Sequence, residues 1–159
     1  MVRQWLPAFW RADPARFLPG NPALYDGPRL PFWLLCVLLM LITARSCVHL
    51  LAPDGGAHSI ATVDLSVAGA GNIVAMFGQW GAIQLLLAGL MWVLVLRYRG
   101  LVPLVLATLI VEPFLRSLSG HLKPLVTLHT APGAALNFVF LPLLVLLLYM
   151  SLCPARKTP

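Results

Sequence analysis

The chain has 159 residues, of which 60% are hydrophobic and only 10% are charged. Soluble domains carry about 25% charged residues, so this composition excludes an ordinary soluble domain and indicates an integral membrane protein. The net charge of +6 comes from Arg and Lys residues scattered between apolar runs, with no single basic face, which argues against a nucleic-acid partner.

The first 30 residues mix aromatic and basic side chains with prolines. The residues concerned are Trp5, Phe9, Trp10, Phe17, Arg3, Arg11, Arg16, Arg29, Pro7 and Pro14. Such a mixture suits the headgroup layer of a membrane, and the prolines limit any helix to short pieces. We expect residues 1–30 to form a cytoplasmic, interfacial segment; on composition alone a disordered tail is the alternative.

Four apolar runs follow, and each one predicts a membrane-spanning helix. The predicted spans cover residues 31–51, 72–96, 101–118 and 134–152. The expected fold is therefore all-α, a four-helix transmembrane bundle over residues 31–153, followed by a cytoplasmic tail at residues 154–159.

Basic residues predict the orientation of this bundle. One side would hold Arg3, Arg11, Arg16, Arg29, Arg97, Arg99, Arg156 and Lys157, whereas the loops on the other side hold only Lys123. By the positive-inside rule both termini are cytoplasmic, an N-in/C-in arrangement of a multi-pass protein.

Small residues recur along the second span. They are Gly71, Ala75, Gly78, Ala82 and Gly89, and their spacing places them on one stripe of the helix. In lipid such a stripe lets a neighbouring helix approach closely, so we interpret these residues as a helix-packing surface within the bundle or toward a partner.

Polar residues interrupt the apolar runs of three spans. Arg45, Gln84, Glu112 and Arg116 would lie about 17–23 Å from the cytoplasmic helix ends at 1.5 Å per residue. An ionisable residue at that depth costs roughly 2.5–3.5 kcal/mol and usually has a partner. Glu112 is spaced to pair with Arg116 one turn on, or with Arg45 across the bundle. We predict a polar cluster that binds a ligand; the alternative is an ion pair that only locks the helices together.

The predicted topology places all four histidines, His49, His58, His121 and His129, on or near the outer face, where such side chains are usually solvated. None has paired ligand spacing, so His121 and His129 are only weak metal candidates. We expect no metal and no cofactor. We also expect no catalytic residue, because no nucleophile-elbow, Walker A or dinucleotide motif is present.

The runs GAGNIVAMFGQWGAIQLLLAGL, VLRYRGLVPLVLATLIVEPFLRSLSGHLKP and TAPGAALNFVFLPLLVLLL resemble a set of small, uncharacterised four-helix bacterial membrane proteins. The resemblance covers about residues 60–152. In overall plan the chain is also similar to DoxX-type four-helix membrane proteins, some of which are subunits of quinone-linked oxidoreductases. This resemblance implies a bacterial inner membrane and assigns no site residues.

Three functions fit these observations. The small size, the stripe on the second span and the missing catalytic motifs favour a non-catalytic accessory or assembly subunit, whose partners would be the lipid bilayer and other membrane protein subunits. The alternative is a small-ligand or lipid-binding protein with an outward-facing pocket around Glu112. A quinone- or metal-linked redox subunit is a third interpretation.

Overall fold

The computed structural model describes residues 10–129 and 132–155, and within them the chain is all-helical, as predicted. Helix α1 spans Arg29–Leu51, α2 spans Ala70–Arg97, α3 spans Val102–Leu122 and α4 spans Pro132–Ser151. Two short 3₁₀ turns, Pro14–Arg16 and Arg99–Leu101, precede α1 and α3. The predictions for residues 1–9, 130–131 and 156–159 lie outside the described residues.

Among the described residues, three helical segments are long and apolar enough to cross a membrane: Arg29–Leu51, Ala70–Arg97 and Arg99–Leu122. The apolar helical segment Leu136–Ser151 within α4 is shorter. Large apolar side chains such as Leu86 and Phe114 are exposed along the helices. An apolar surface of this extent fits a lipid environment, where burying it inside the protein brings no advantage.

Prolines and glycines set several helix ends. Helix α1 stops before Ala52, which is extended because it precedes Pro53. Gly69 leads into α2 at a φ of +85°, a left-handed conformation that favours glycine. Helix α3 continues past the predicted end at residue 118 and stops only at Lys123, directly before Pro124.

Buried apolar side chains concentrate at one end of the bundle, here called the terminal end, where α1 begins and α4 ends. The core contains Phe32, Leu35, Cys36, Leu39, Met91, Val95, Val102, Val105, Leu106, Leu144 and Leu147. In α3 every buried residue lies between Val102 and Leu106. The core therefore fastens the four helices together at the terminal end and leaves the opposite end, here called the loop end, more open.

The chain before α1 packs across the terminal end. The backbone N–H of Asp13 donates to the Leu152 carbonyl at 2.9 Å, and the N–H of Ala155 donates to the Asp26 carbonyl at 2.8 Å. The N–H of Gly100, in the turn between α2 and α3, donates to the Pro22 carbonyl at 2.8 Å. Residues 10–28 belong to the segment that was predicted to be interfacial or disordered. Hydrogen bonds at Asp13, Pro22 and Asp26 hold this part of it against the helix ends.

Two side chains strengthen this packing. Arg16 donates two hydrogen bonds to the carboxylate of Asp26, which holds two distant parts of the segment before α1 together. The Tyr25 hydroxyl donates to the Pro28 carbonyl at 2.9 Å, and burial of that hydroxyl raises its pKa above the usual range. Tyr25 therefore stays protonated and keeps donating this hydrogen bond.

At the loop end, α1 and α2 meet around His49. This side chain is only 2% exposed, and its Nδ1 lies 2.8 Å from the Gly55 carbonyl oxygen. Phe77 and Trp80 of α2 pack against its ring at centroid distances of 5.8 and 4.9 Å. The expectation that this histidine is solvated was wrong, because the glycine-rich turn after α1 folds back over it.

The two loops at the loop end also contact each other. Leu128 donates its backbone N–H to the Thr62 carbonyl at 2.8 Å, and Val63 forms an isolated antiparallel bridge with Thr127. The Thr62 hydroxyl donates to the His129 carbonyl. The helix pairs α1–α2 and α3–α4 are therefore connected at both ends of the bundle. A hydrophobic core connects them at the terminal end, and hydrogen bonds between loops connect them at the loop end.

Candidate functional site

Arg45 and Gln84 meet between α1 and α2. The Arg45 guanidinium donates to Gln84 Oε1 at 3.3 Å. The hydroxyl of Ser46 lies 3.4 Å from the same oxygen and donates to the Ile42 carbonyl at 2.8 Å. Gln84 therefore uses its carbonyl oxygen to hold a cation inside an apolar run.

Glu112 and Arg116 pair on α3, one turn apart. Arg116 Nε donates to Glu112 Oε1 at 3.0 Å, and its Nη2 lies 3.4 Å from Oε2. Of the two predicted partners for Glu112, the structure places Arg116 in contact with it. Pro113 lies inside the helix beside this pair; since proline has no N–H, the Leu109 carbonyl loses its usual helical donor.

Asn137 of α4 completes this half of the site. Arg116 Nη2 donates to Asn137 Oδ1 at 3.2 Å, so the guanidinium bridges α3 and α4. Asn137 was not among the residues predicted to form the cluster. An amide in the apolar run of α4 was the available signal, since amides within membrane helices commonly bond across to a neighbour.

The two halves lie at a similar depth. Their residues are each about 15–24 Å along their helices from the terminal end, at 1.5 Å per residue. We call Arg45, Gln84, Glu112, Arg116 and Asn137 the polar layer. It contains two guanidinium groups and one carboxylate, so that one positive charge is left over.

Arg45 is the less satisfied of the two arginines. Its Nε is buried and has no hydrogen-bond partner among the described residues. Its guanidinium lies 5.9 Å from the ring centroid of Trp80, within range of a cation–π contact. A buried donor without an acceptor is costly, so the hydrogen-bonding capacity of Arg45 is incompletely used within the described residues.

The ion pair of the polar layer is accessible from the side of the bundle. The side chains of Glu112 and Arg116 are 43% and 32% exposed. Their exposed neighbours on α3 include the apolar Val111, Phe114 and Leu115 and the polar Thr108 and Ser117. Charged atoms are thus exposed on a helix that also presents large apolar side chains, an arrangement that helices normally avoid in lipid.

The loop that follows α1 is shaped by Asp54. Its carboxylate accepts hydrogen bonds from the backbone N–H groups of Gly56, at 2.9 Å, and Ser59, at 2.8 Å. These bonds lower the pKa of the carboxyl group to about 2, and the bond from Ser59 has the largest effect. Asp64 in the same loop has its pKa lowered by the backbone N–H of Ser66. Both carboxylates are used to order the loop.

The small residues predicted as a packing stripe lie mostly on the surface. Gly78 faces α1, with the His49 carbonyl oxygen 3.9 Å from the place of a Cβ atom. The other four, Gly71, Ala75, Ala82 and Gly89, are exposed. Inside the chain α2 instead buries Gly81, Ala88, Met91 and Val95. Contact of the exposed four with another chain stays a prediction.

The weak metal candidates do not come together. His121, in the last turn of α3, and His129, in the following loop, are both exposed. Among residues 10–129 and 132–155, no three His, Cys, Asp or Glu side chains are grouped so that they could hold a metal ion.

Comparison with known proteins gives no significant match to a family model, a curated protein or a solved structure. The resemblance to DoxX-type proteins therefore stays a prediction.

Proposed function

We propose that the chain is a membrane protein that binds a small amphiphilic ligand or a lipid at the polar layer. The observation that supports this is the exposure of the ion pair: Glu112 and Arg116 are 43% and 32% exposed on a helix that also exposes Val111, Phe114 and Leu115. An ion pair that only locked helices together would be enclosed by them. A ligand with a polar head and an apolar body would cover both surfaces.

The proposal includes a topology. Four spans, with α4 as the fourth, and both termini in the cytoplasm of a bacterial cell would place the polar layer between the bilayer middle and its outer half. The distribution of Arg and Lys supports this orientation. A green fluorescent protein fused after Pro159 should fluoresce, and alkaline phosphatase fused there should be inactive. The opposite pair of results would reverse the orientation.

Native mass spectrometry of the protein extracted in a mild neutral detergent tests the ligand. We expect wild-type protein to retain a small molecule in a fixed ratio. Gln84→Leu should lose it, because the substitution removes a polar contact without changing the charge. Gln79→Leu is the matched control, since Gln79 is exposed on the same helix and outside the polar layer. Equal retention by both variants, or none by the wild type, would contradict the proposal.

An accessory subunit of a larger membrane complex is the second candidate. It is favoured by the exposed small residues of α2, where open space lies around the places of Cβ atoms at Gly71 and Gly89. A helix of another protein could approach closely there. Gly89→Leu should then abolish co-purification of a partner that is present in fixed stoichiometry. Unchanged stoichiometry in this variant would remove the candidate.

A further inference from the structure

The polar layer is not electrically balanced. Glu112 accepts hydrogen bonds from Arg116 through both of its oxygens, so its negative charge is neutralised by a residue of the same helix. Arg116 has Asn137 as a further acceptor. Arg45 has only the neutral oxygen of Gln84, at 3.3 Å, and its Nε has no acceptor. The surplus positive charge of the layer is therefore located on Arg45.

From this we infer that Arg45 binds the anionic headgroup, a carboxylate or a phosphate, of an amphiphile. The inference rests on the proposed function and names the chemical class of its ligand. Guanidinium groups bind such oxyanions through paired N–H donors, which strengthens the contact and fixes its direction. The unpartnered Nε is itself enclosed by the protein, so the headgroup would meet the terminal nitrogens of the Arg45 guanidinium.

Gln84 and Trp80 would position the headgroup. Gln84 Oε1 accepts a hydrogen bond from Arg45 at 3.3 Å, so the NH₂ group is the donor that Gln84 would offer to the headgroup. The ring of Trp80 lies beside the guanidinium. An anion bound between these groups would meet donors from α1 and α2 together.

The surroundings select an amphiphile over a free anion. Exposed apolar side chains, including Ile83 and Leu86 of α2 and Val111 and Phe114 of α3, lie on the surfaces near the layer. At the loop end, hydrogen bonds between Thr62, Leu128 and His129 connect the two loops above it. A tail in the lipid phase can lie along the apolar helices, whereas hydrated phosphate gains nothing from them.

The test is native mass spectrometry of the full-length protein in a neutral maltoside detergent, titrated with palmitate, palmitoyl lysophosphatidic acid, methyl palmitate, hexadecylamine and inorganic phosphate. We expect palmitate and the lysophospholipid to bind at one molecule per chain, with little binding of the other three. Binding of inorganic phosphate as tight as that of palmitate would overturn the amphiphile part of the inference.

Two variants test whether Arg45 is the cation that binds palmitate. Arg45→Gln should weaken palmitate binding about tenfold or more, as expected for loss of a charged hydrogen-bond donor. Arg29→Gln is the matched control, because it removes the same charge from the start of the same helix. Equal effects of the two substitutions would show that palmitate binds without a specific site, which overturns the inference.

Glu112→Gln should change the affinity for palmitate in the opposite direction to Arg45→Gln. It frees Arg116 as a second cation, so palmitate should bind more tightly than to the wild type. Weaker palmitate binding by this variant, with Arg45→Gln unchanged, would overturn the inference. Arg45→Lys keeps the positive charge and controls for a folding defect caused by Arg45→Gln. It should bind palmitate better than Arg45→Gln does.

Failure of the inference and failure of the proposed function give different results. If hexadecylamine or methyl palmitate binds at one molecule per chain and Gln84→Leu abolishes that binding, the proposed function stands and the anionic class is wrong. If none of the four amphiphiles binds and none is retained from the membrane, the proposed function fails as well.

Discussion

Gly81 of α2 lies directly against His49 of α1: a Cβ atom on this glycine would come within 2.7 Å of the His49 Cβ and of the Leu50 backbone nitrogen. No flexible side-chain end is available to move aside, because the contacts involve backbone and Cβ atoms. Gly81 therefore sets how closely the two helices approach where His49 is buried.

Gly81→Ala should destabilise the protein by about 1–3 kcal/mol, the usual cost of overpacking. Gly89→Ala is the matched control, since open space surrounds the place of its Cβ atom. That variant should be more stable by about 1 kcal/mol, because alanine is a better helix former than glycine. Equilibrium unfolding in detergent measures both. A stable Gly81→Ala variant would contradict the close contact.

Glu112→Gln should destabilise the chain by about 1.5–3 kcal/mol, the range for hydrogen bonds to charged groups. A fully buried pair would lose about 3–5 kcal/mol, but both partners are partly exposed and Arg116 keeps Asn137 as an acceptor. Unfolding in detergent should show the loss.

The double variant Glu112→Leu with Arg116→Leu should be about as stable as the wild type, since it leaves no charge unpaired. A double variant as unstable as Glu112→Gln would show that the ion pair is not what links these two residues to stability.

The contribution of Asp54 to the loop after α1 should be lost only under strongly acidic conditions. The folded-state pKa of Asp54 is about 2, below the ordinary value of 3.8, so its contribution to stability is fully present above 3.8. This contribution is lost as the pH falls through about 2. Hydrogen exchange at Gly56 and Ser59 should be faster in Asp54→Asn than in the wild type at pH 5. Equal exchange rates at pH 5 would contradict the role of the carboxylate.

Gly100→Ala should release residues 10–28 from the terminal end. A Cβ atom there would come within 2.6 Å of the Leu24 carbonyl oxygen and 2.8 Å of the Pro22 carbonyl oxygen. A destabilisation of 1–2 kcal/mol would raise the open fraction about five- to thirty-fold. Cleavage at Arg16 by trypsin should accelerate accordingly.

The control for this experiment is Gly20→Ala, because nothing lies within 4 Å of the place of its Cβ atom. Trypsin should cut this variant at the wild-type rate. Equal acceleration in both variants would indicate a general effect on the segment and not a steric one at Gly100.

The sequence by itself determined the helical class and most of the helices, because a run of apolar residues long enough to cross a bilayer has few alternatives to a helix. The pairing of Glu112 with Arg116 was also predictable, since residues four apart on a helix are neighbours regardless of the rest of the fold. Both properties are local, and local spacing is what a sequence displays directly.

The tertiary structure decided which helix faces meet. The regular stripe of small residues did not include Gly81, yet Gly81 is the glycine pressed against α1. In a helix that is apolar on nearly every side, periodicity gives no direction to the core. The burial of His49 likewise depends on a turn that folds back from the next loop.

Tertiary structure also decided the composition of the polar layer. Asn137 follows Arg116 only after a loop, and their contact depends on how α3 and α4 pair. The same packing leaves Arg45 with a neutral partner while Glu112 is used by Arg116. Sequence shows how many charges a membrane helix contains, but the distances between helices determine which of them are neutralised and which one has no partner of opposite charge.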